Sequence, residues 1–426
     1  MTEATTSKPG ASSADEGVSV VRVLPLYLVV FAGFVGYSLM IAIFTPLVLR
    51  PDGDILPHGT STGARTIALG ILLAVYPLAQ FLAAPGIGAL SDRFGRKRTL
   101  LVSLAACCAS YALIGGAVQA RTLWLLIVAC FVAGLTEANV TVAQSAVADI
   151  APVRQRSRLF GYVYLSSSLA YVIGPLGGGR LADRHLVGWF DYATPFWAVT
   201  ALLLVILAFT AVAFRETAAA PDVSPVRLTA AFRALGTAFR PGPLRHLYAA
   251  NFVLYLAIFG FFRVYPMYLI GRFHMDVSQE SLFVAWVAVP IVAANLGIVG
   301  WLSRRLTPRQ MVARIAPVLA AGLVAIVIPH TRDSLWVTLA VTALAVAICL
   351  PAAAAMISQA APSDHQGSAL GSNQSLQVGA EALTGVAGGL LAAIAVGLPL
   401  VTMAVLAAAT AVLLSAQRVG TRASEV

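Results

Sequence analysis

The sequence predicts an all-α membrane protein with twelve transmembrane helices in two pseudo-symmetric six-helix bundles. Three observations carry that expectation. Apolar residues make up 59% of the 426 residues and charged residues only 11%, where soluble domains carry about a quarter charged; the mean hydropathy is +0.85. The apolar residues gather into runs close to the roughly 20 residues a helix needs to cross a hydrocarbon core of about 30 Å. Short patterns in the first half of the chain return in the second at nearly constant spacing, as expected of related halves.

Twelve runs fall at about 24–48, 66–90, 98–118, 122–147, 159–179, 193–214, 247–270, 281–302, 311–329, 335–359, 368–396 and 399–416. Residues 1–20 read as a polar, disordered cytoplasmic tail with no cleavable signal peptide. The first six runs define a bundle over 21–214 and the last six a bundle over 247–416, with a short tail at 417–426. Between the bundles, 215–246 reads as a cytoplasmic linker, carrying Arg215, Arg227, Arg233, Arg240, Arg245 and four prolines. Pro46, Pro77, Pro85, Pro266, Pro290 and Pro351 lie inside runs and predict kinks, not breaks.

Loop charge tests this count. With both termini inside, 20 of the 28 Lys and Arg lie on cytoplasmic segments and 7 on external ones; Arg263 is the remainder. That bias is the expected signal of an even span number with both termini inside; the location expected for this multi-pass protein is the plasma (inner) membrane. A net charge of +10 would suggest nucleic acid in a soluble protein; with the cations in short loops, no nucleic-acid partner is expected.

The repeat is specific. Gly88-x-Leu90-Ser91-x-Arg93 returns as Gly300-x-Leu302-Ser303-x-Arg305, and Leu123-Trp124 as Leu335-Trp336. Gly161, Gly178, Gly179, Leu181 and Ala182 return as Gly371, Gly388, Gly389, Leu391 and Ala392. Several classes of chemistry are excluded by what the chain lacks. Cys107, Cys108, Cys130 and Cys349 all fall in apolar runs without metal or disulfide spacing, and all six histidines fall in predicted loops. There is no G-x-x-x-x-G-K-[ST] phosphate loop. An enzyme is not expected, nor a cofactor or metal.

Two motifs carry function. The loop Gly88-Ala-Leu-Ser-Asp92-Arg93-Phe-Gly95-Arg96-Lys97-Arg98 is a compact charged turn between two long apolar runs. The fifth run holds Gly174-Pro175-x-x-Gly178-Gly179, a row of small residues that permits close helix packing, with a proline that stiffens the bend. The first motif resembles the loop between the second and third spans of the major facilitator superfamily of secondary transporters. The second resembles the pattern of that family's drug:proton antiporter branch. Tyr76-x3-Gln80-Phe81-x3-Pro85-x2-Gly88 in the second run is similar to the tetracycline-efflux type, and the likeness covers essentially the whole chain.

The resemblance implies a transporter working by alternating access, with Gly88, Asp92, Arg93, Gly95, Arg96 and Asp149 in cytoplasmic gating and Gly174, Pro175, Gly178 and Gly179 in helix packing. Asp149 and the following Arg154, Arg156 and Arg158 form a second charge cluster, readable as solvated topology signal or as part of that gate. Two departures stand out. Cys130-x3-Gly134 occupies the place of the branch's R-x-x-x-G pattern in the fourth span. Gly33 occupies the place of an acidic residue in the first.

Charge within the membrane is confined to Glu137, Arg263 and Glu381 in this reading. A charge at bilayer depth costs about 2.5–3.5 kcal/mol even on the lenient insertion scale, so each should face the interior. Glu137 shares one helical face with Cys130, Gly134, Thr141 and Gln144, and Glu381 shares one with Gln374, Gln377 and Thr384. Either carboxylate could neutralise Arg263 in a static ion pair. Alternatively, one titrates as its contact with Arg263 changes between states, which is the requirement for proton coupling. Gln80, Asn139, Asn251, Tyr255 and Gln377 are candidates for substrate contact, with helix packing as the plainer reading of each.

The function expected is proton-coupled efflux of a small amphipathic molecule by a monomer in the lipid bilayer. Two alternatives stay open: a proton-coupled importer or symporter of a metabolite or siderophore-like compound, and a non-transporting membrane receptor.

Overall fold

The computed structural model describes residues 20–50, 55–137, 139–150, 156–217, 244–328, 331–361 and 366–423. All regular elements among them are helices. They are α1 (Val20–Leu49), α2 (Thr62–Phe94), α3 (Arg96–Gln119), α4 (Leu123–Thr136), α5 (Asn139–Ile150), α6 (Arg156–Leu181) and α7 (Thr194–Ala213). Then come α8 (Arg245–Phe273), α9 (Val277–Ala293), a π turn (Ala294–Ile298), α10 (Val299–Ser303), α11 (Pro308–Val327), α12 (Ser334–Ala360), α13 (Gln366–Ile394) and α14 (Leu398–Ala423). Helices satisfy every backbone group internally, which hydrocarbon demands. Ten helical segments among the described residues are long and apolar enough to cross a membrane, and Leu123–Thr136 is a shorter apolar helix.

Helix ends follow local chemistry. Ser61 accepts from Ala64 N at 3.3 Å to start α2, and Asp276 accepts from Gln279 N at 2.7 Å to start α9. Thr307 and Gln310 form a reciprocal capping box at α11. Gly95, at φ +91°, permits the reversal from α2 into α3. Pro290 removes a donor from α9, and the helix widens into its π turn one turn later.

One expected element differs. The fourth run is not a single helix: α4 ends with Glu137 as its cap, at φ −80° and ψ 3°, and α5 begins at Asn139. Thr136, Asn139 and Thr141 are weak helix formers whose side chains compete for backbone groups; the Thr136 hydroxyl donates to Ala133 O at 2.9 Å. The face predicted to join Cys130, Gly134, Glu137, Thr141 and Gln144 is therefore interrupted at the carboxylate itself. At the other end of the chain, α14 runs on to Ala423, past its predicted end at 416. Residues 1–19 of the expected tail, 218–243 of the expected linker and 424–426 lie outside the described residues.

Two apolar clusters organise the molecule. One is built from α1 to α7 and the other from α8 to α14. The first also takes in Met267, Val277 and Ala392 from beyond residue 245, so the two sets of helices meet. They meet where α2 crosses α13, where α6 lies on α9, and where α1 touches α8 and α9. Large apolar side chains such as Val102, Val212 and Leu296 remain 69%, 87% and 80% exposed, which suits a surface solvated by lipid.

Candidate functional site

The crossings share one face of the molecule. A methyl group on Gly385 of α13 would lie 2.9 Å from Ala74 Cβ on α2, and one on Gly70 would lie 2.7 Å from Gly385 O. Gly389 meets Thr66 O at 2.6 Å in the same way. These glycines let two backbones touch, the geometry that drives helix association in lipid. On the same face Ser278 of α9 donates to Asp183, after α6, at 2.7 Å, and Arg50 donates to Met275 O at 3.3 Å. Ser278 holds the Asp183 carboxyl below its ordinary value.

The glycine-proline motif of α6 divides its work. Gly174 faces Ser38 and Val35 of α1, and Gly178 faces Leu39 of α1. Gly179 faces Ser281 and Val277 O of α9, across the junction. Pro175 is buried between them. This face is closed. Gly385→Leu is expected to force it apart, since overpacking costs about 1–3 kcal/mol. A cysteine at Ala74, buried against Gly385, should then react with a water-soluble maleimide several-fold faster; an unchanged rate would refute the seal.

At the opposite face the contacts join elements of one half. Arg96 donates from Nε to Asp149 at 2.9 Å and from Nη1 to Ser91 at 2.9 Å. Glu216 accepts from the backbone N–H groups of Arg96 and Lys97 at 2.8 and 3.0 Å, an anion at the positive end of α3. Arg93 is exposed, 5.4 Å from the Phe94 ring. Of the expected gating set, Arg96 and Asp149 are therefore brought together and Gly95 makes the turn. Gly88 lies within α2, and the side chain of Asp92 lies outside the described residues. Arg154 is outside them too, as are the side chains of Arg156 and Arg158. Glu216 escaped the sequence reading, although an acid ending the sixth run was the available signal.

The charged site lies between the faces. Arg263 of α8 is 2% exposed and its Nη2 pairs with Glu381 Oε1 of α13 at 2.9 Å. The Tyr37 hydroxyl of α1 bonds to both partners, and the guanidinium stands 5.2 Å from the Tyr37 ring centroid. One tyrosine thus ties the first helix of one half to an ion pair in the other. Around it Tyr76 packs at 5.2 Å and Tyr171 at 6.4 Å, with Phe34 5.7 Å from Tyr171.

Glu137 is held apart from this pair. It is 2% exposed and accepts from Tyr111 OH at 3.1 Å. The Tyr76 hydroxyl approaches the same carboxyl group but makes no well-formed hydrogen bond. Tyr111, Tyr76 and Gly33, its neighbours among the described residues, all belong to the first half. A methyl group on Gly33 would lie 2.9 Å from Glu137 Oε1, so the glycine at the expected acid position of α1 opens the space that the Glu137 carboxyl fills. Tyr76 stands between Glu137 and Tyr37, and tyrosines bridge the two acids.

The remaining candidates separate. Tyr255 is 1% exposed and accepts from Asn373 Nδ2 at 2.7 Å, while Asn251 donates to Asn373 Oδ1 and Ala353 O, each at 2.9 Å. Both sit in a network joining α8, α12 and α13. Gln80 of α2 and Gln377 of α13 are half-buried, and the side chain of Asn139 lies outside the described residues. Tyr37, Tyr111 and Tyr171 were missed by the sequence reading, since an aromatic residue in an apolar helix carries no sign of its partner.

The fold and this interior charge define a polytopic helical protein with two bundles closing on a buried ionic centre. The family model described as Major Facilitator Superfamily matches residues 26–377, and the chain belongs to that family. Over 176 residues it is 34% identical to the class H tetracycline resistance protein of Pasteurella multocida, covering 41% of this chain and 42% of that one. It is 29% identical over 356 residues to the class D tetracycline resistance protein of Salmonella ordonez, covering 81% and 82%. The class H alignment, like those to the class C and class B tetracycline resistance proteins of Escherichia coli, spans less than half of the relative's length. The crystal structure of the human organic anion transporter MFSD10 (TETRAN) superposes with a TM-score of 0.69 at 18% identity, covering 94% of this chain and 100% of that one.

Proposed function

We propose that the chain exports a small amphipathic compound across the plasma membrane in exchange for protons. The observation that carries this reading is the separation of the two acids. Glu381 is neutralised by Arg263, whereas Glu137 is buried beside the Tyr111 and Tyr76 hydroxyls with no cation paired to it among the described residues. An ionised carboxylate without a countercharge is costly at depth, so Glu137 holds its proton in this conformer. With both termini cytoplasmic, the closed face is external and the conformer is the inward-facing one.

Opening the outer face separates Tyr37 from Arg263 and Glu381, because that contact spans the two halves. The latch is therefore made in one state and broken in the other, which alternating access with coupling requires. Substrate binds between the halves, where Tyr37, Tyr76 and Tyr171 offer aromatic surface and Gln80 and Gln377 offer polar contacts. Arg96 and Asp149 act in the cytoplasmic gate together with Asp92 and Arg93. Kinship with tetracycline resistance proteins supports efflux of a drug-like molecule. The protein works as a monomer.

Everted membrane vesicles test the direction. Acidifying their lumen should drive accumulation of a tetracycline or a fluorescent cationic dye, and collapsing the gradient with an uncoupler should reverse it. Accumulation only in right-side-out cells would establish import instead.

A further inference from the structure

Glu280 is the buried acid that the sequence reading passed over. It lies in the first turn of α9 and is 0% exposed. Its Oε2 accepts from Ser281 Oγ at 3.4 Å, and its Oε1 has no hydrogen-bond partner among the described residues. An orphaned carboxylate oxygen in a buried position is a cost that needs an explanation.

Its neighbour supplies one. The Ser281 side chain that touches Glu280 is the one lying against Gly179 of α6, with Val277 O beside it. Ser278, on the same turn, makes the bond to Asp183. The acid therefore sits directly behind the α6–α9 half of the outer seal, one hydroxyl away from the opposing helix.

The groups that could answer its charge are few. Tyr265 of α8 interacts with it electrostatically. At the end of α6 stand Arg180, which is exposed, and Asp183. Asp333 precedes α12 and Arg50 follows α1, where Arg50 is engaged with Met275 O. No cation pairs with Glu280 among the described residues. A carboxyl held low, like Asp183, contributes to closure at all working pH and loses its part only as pH falls through that lowered value.

We propose that Glu280 is a further proton-binding site, occupied when the outer face is closed and emptied when α6 leaves α9 and water reaches the first turn. The site is separate from Glu137 and Glu381 and carries no proton across. It makes closure depend on the pH outside. Acid favours the closed face, and each pH unit above the open-state value favours opening by up to about tenfold, one proton per unit.

The experiment uses the full chain with E137Q, R263Q and E381Q, so that neither midplane acid titrates and no buried charge is left unpaired. Spin labels on cysteines at Leu186 and Thr331, exposed positions on the two halves at this face, report opening as a longer distance. Raising pH should increase the long-distance population several-fold, and adding E280Q should hold it at its acidic value throughout. Equal opening with and without E280Q would overturn the proposal, as would a background that never opens. Should E280Q fail to fold, infrared difference spectra of the background across the same pH step decide the matter. Loss of a buried protonated carboxyl band at high pH supports the site, and its absence overturns it.

Discussion

Glu137→Gln is expected to abolish proton-driven accumulation while leaving the protein folded and able to exchange bound substrate. Glutamine keeps the shape and neutrality of the protonated acid, so Tyr111 and the Gly33 pocket should still accommodate it. One pH unit is worth about 1.4 kcal/mol per coupled proton, and hence about a tenfold concentration ratio. The variant should lose that factor and equilibrate substrate at a ratio near one. Vesicle uptake against a range of imposed gradients measures it, and an unchanged dependence on the gradient would remove Glu137 from coupling. The geometry at Gly33 extends the test. Gly33→Asp combined with Glu137→Ala moves the acid from α4 to α1 while keeping it in the same pocket. Partial return of gradient-driven uptake is expected, since the pocket matters more than the helix that supplies the acid.

Arg263→Ala is expected to be the most damaging single change to stability. It leaves Glu381 buried beside the Tyr37 hydroxyl with no countercharge, and breaking such a pair costs about 3–5 kcal/mol. Arg263→Ala with Glu381→Ala should recover most of that loss, because no uncompensated charge remains. Thermal unfolding of the four purified proteins gives the coupling energy directly. Near-additive losses would mean that Arg263 is held by something other than Glu381. Tyr37→Phe, which removes the link between halves and leaves the pair intact, separates the latch from the fold. It should spare thermal stability and yet raise external access to the site.

The fold was legible because hydrocarbon imposes a length and a composition on each span, and both can be counted. The fourth span shows where counting fails. Its apolar content is that of one helix, but the polar residues on either side of Glu137 tilt a local balance that hydropathy does not register. Glu280 shows a second failure. The expected eighth span begins at residue 281, just past Glu280, whereas the helix starts four positions earlier at Val277 behind its Asp276 cap. That offset leaves the acid outside the expected span.

At the site, Glu137, Arg263 and Glu381 could be found because charge in a membrane is rare and expensive. Which acid would meet the arginine could not be found. That depends on where α8, α13 and α1 come together, and residues 37, 263 and 381 are too far apart in the chain for spacing to relate them. The glycine-proline motif was recognisable as packing, but only the tertiary structure assigns Gly174 and Gly178 to α1 and Gly179 to α9.

By itself, then, the sequence determined the class of protein, the number of apolar runs, the relation between halves and the short list of buried charges. All of these follow from the solvent the chain must satisfy. The tertiary structure decided which face is closed, which charges are paired, and that a glycine on one helix makes room for an acid on another. Those outcomes are set by distances between helices, and a helix's own residues specify its faces without specifying what stands opposite them.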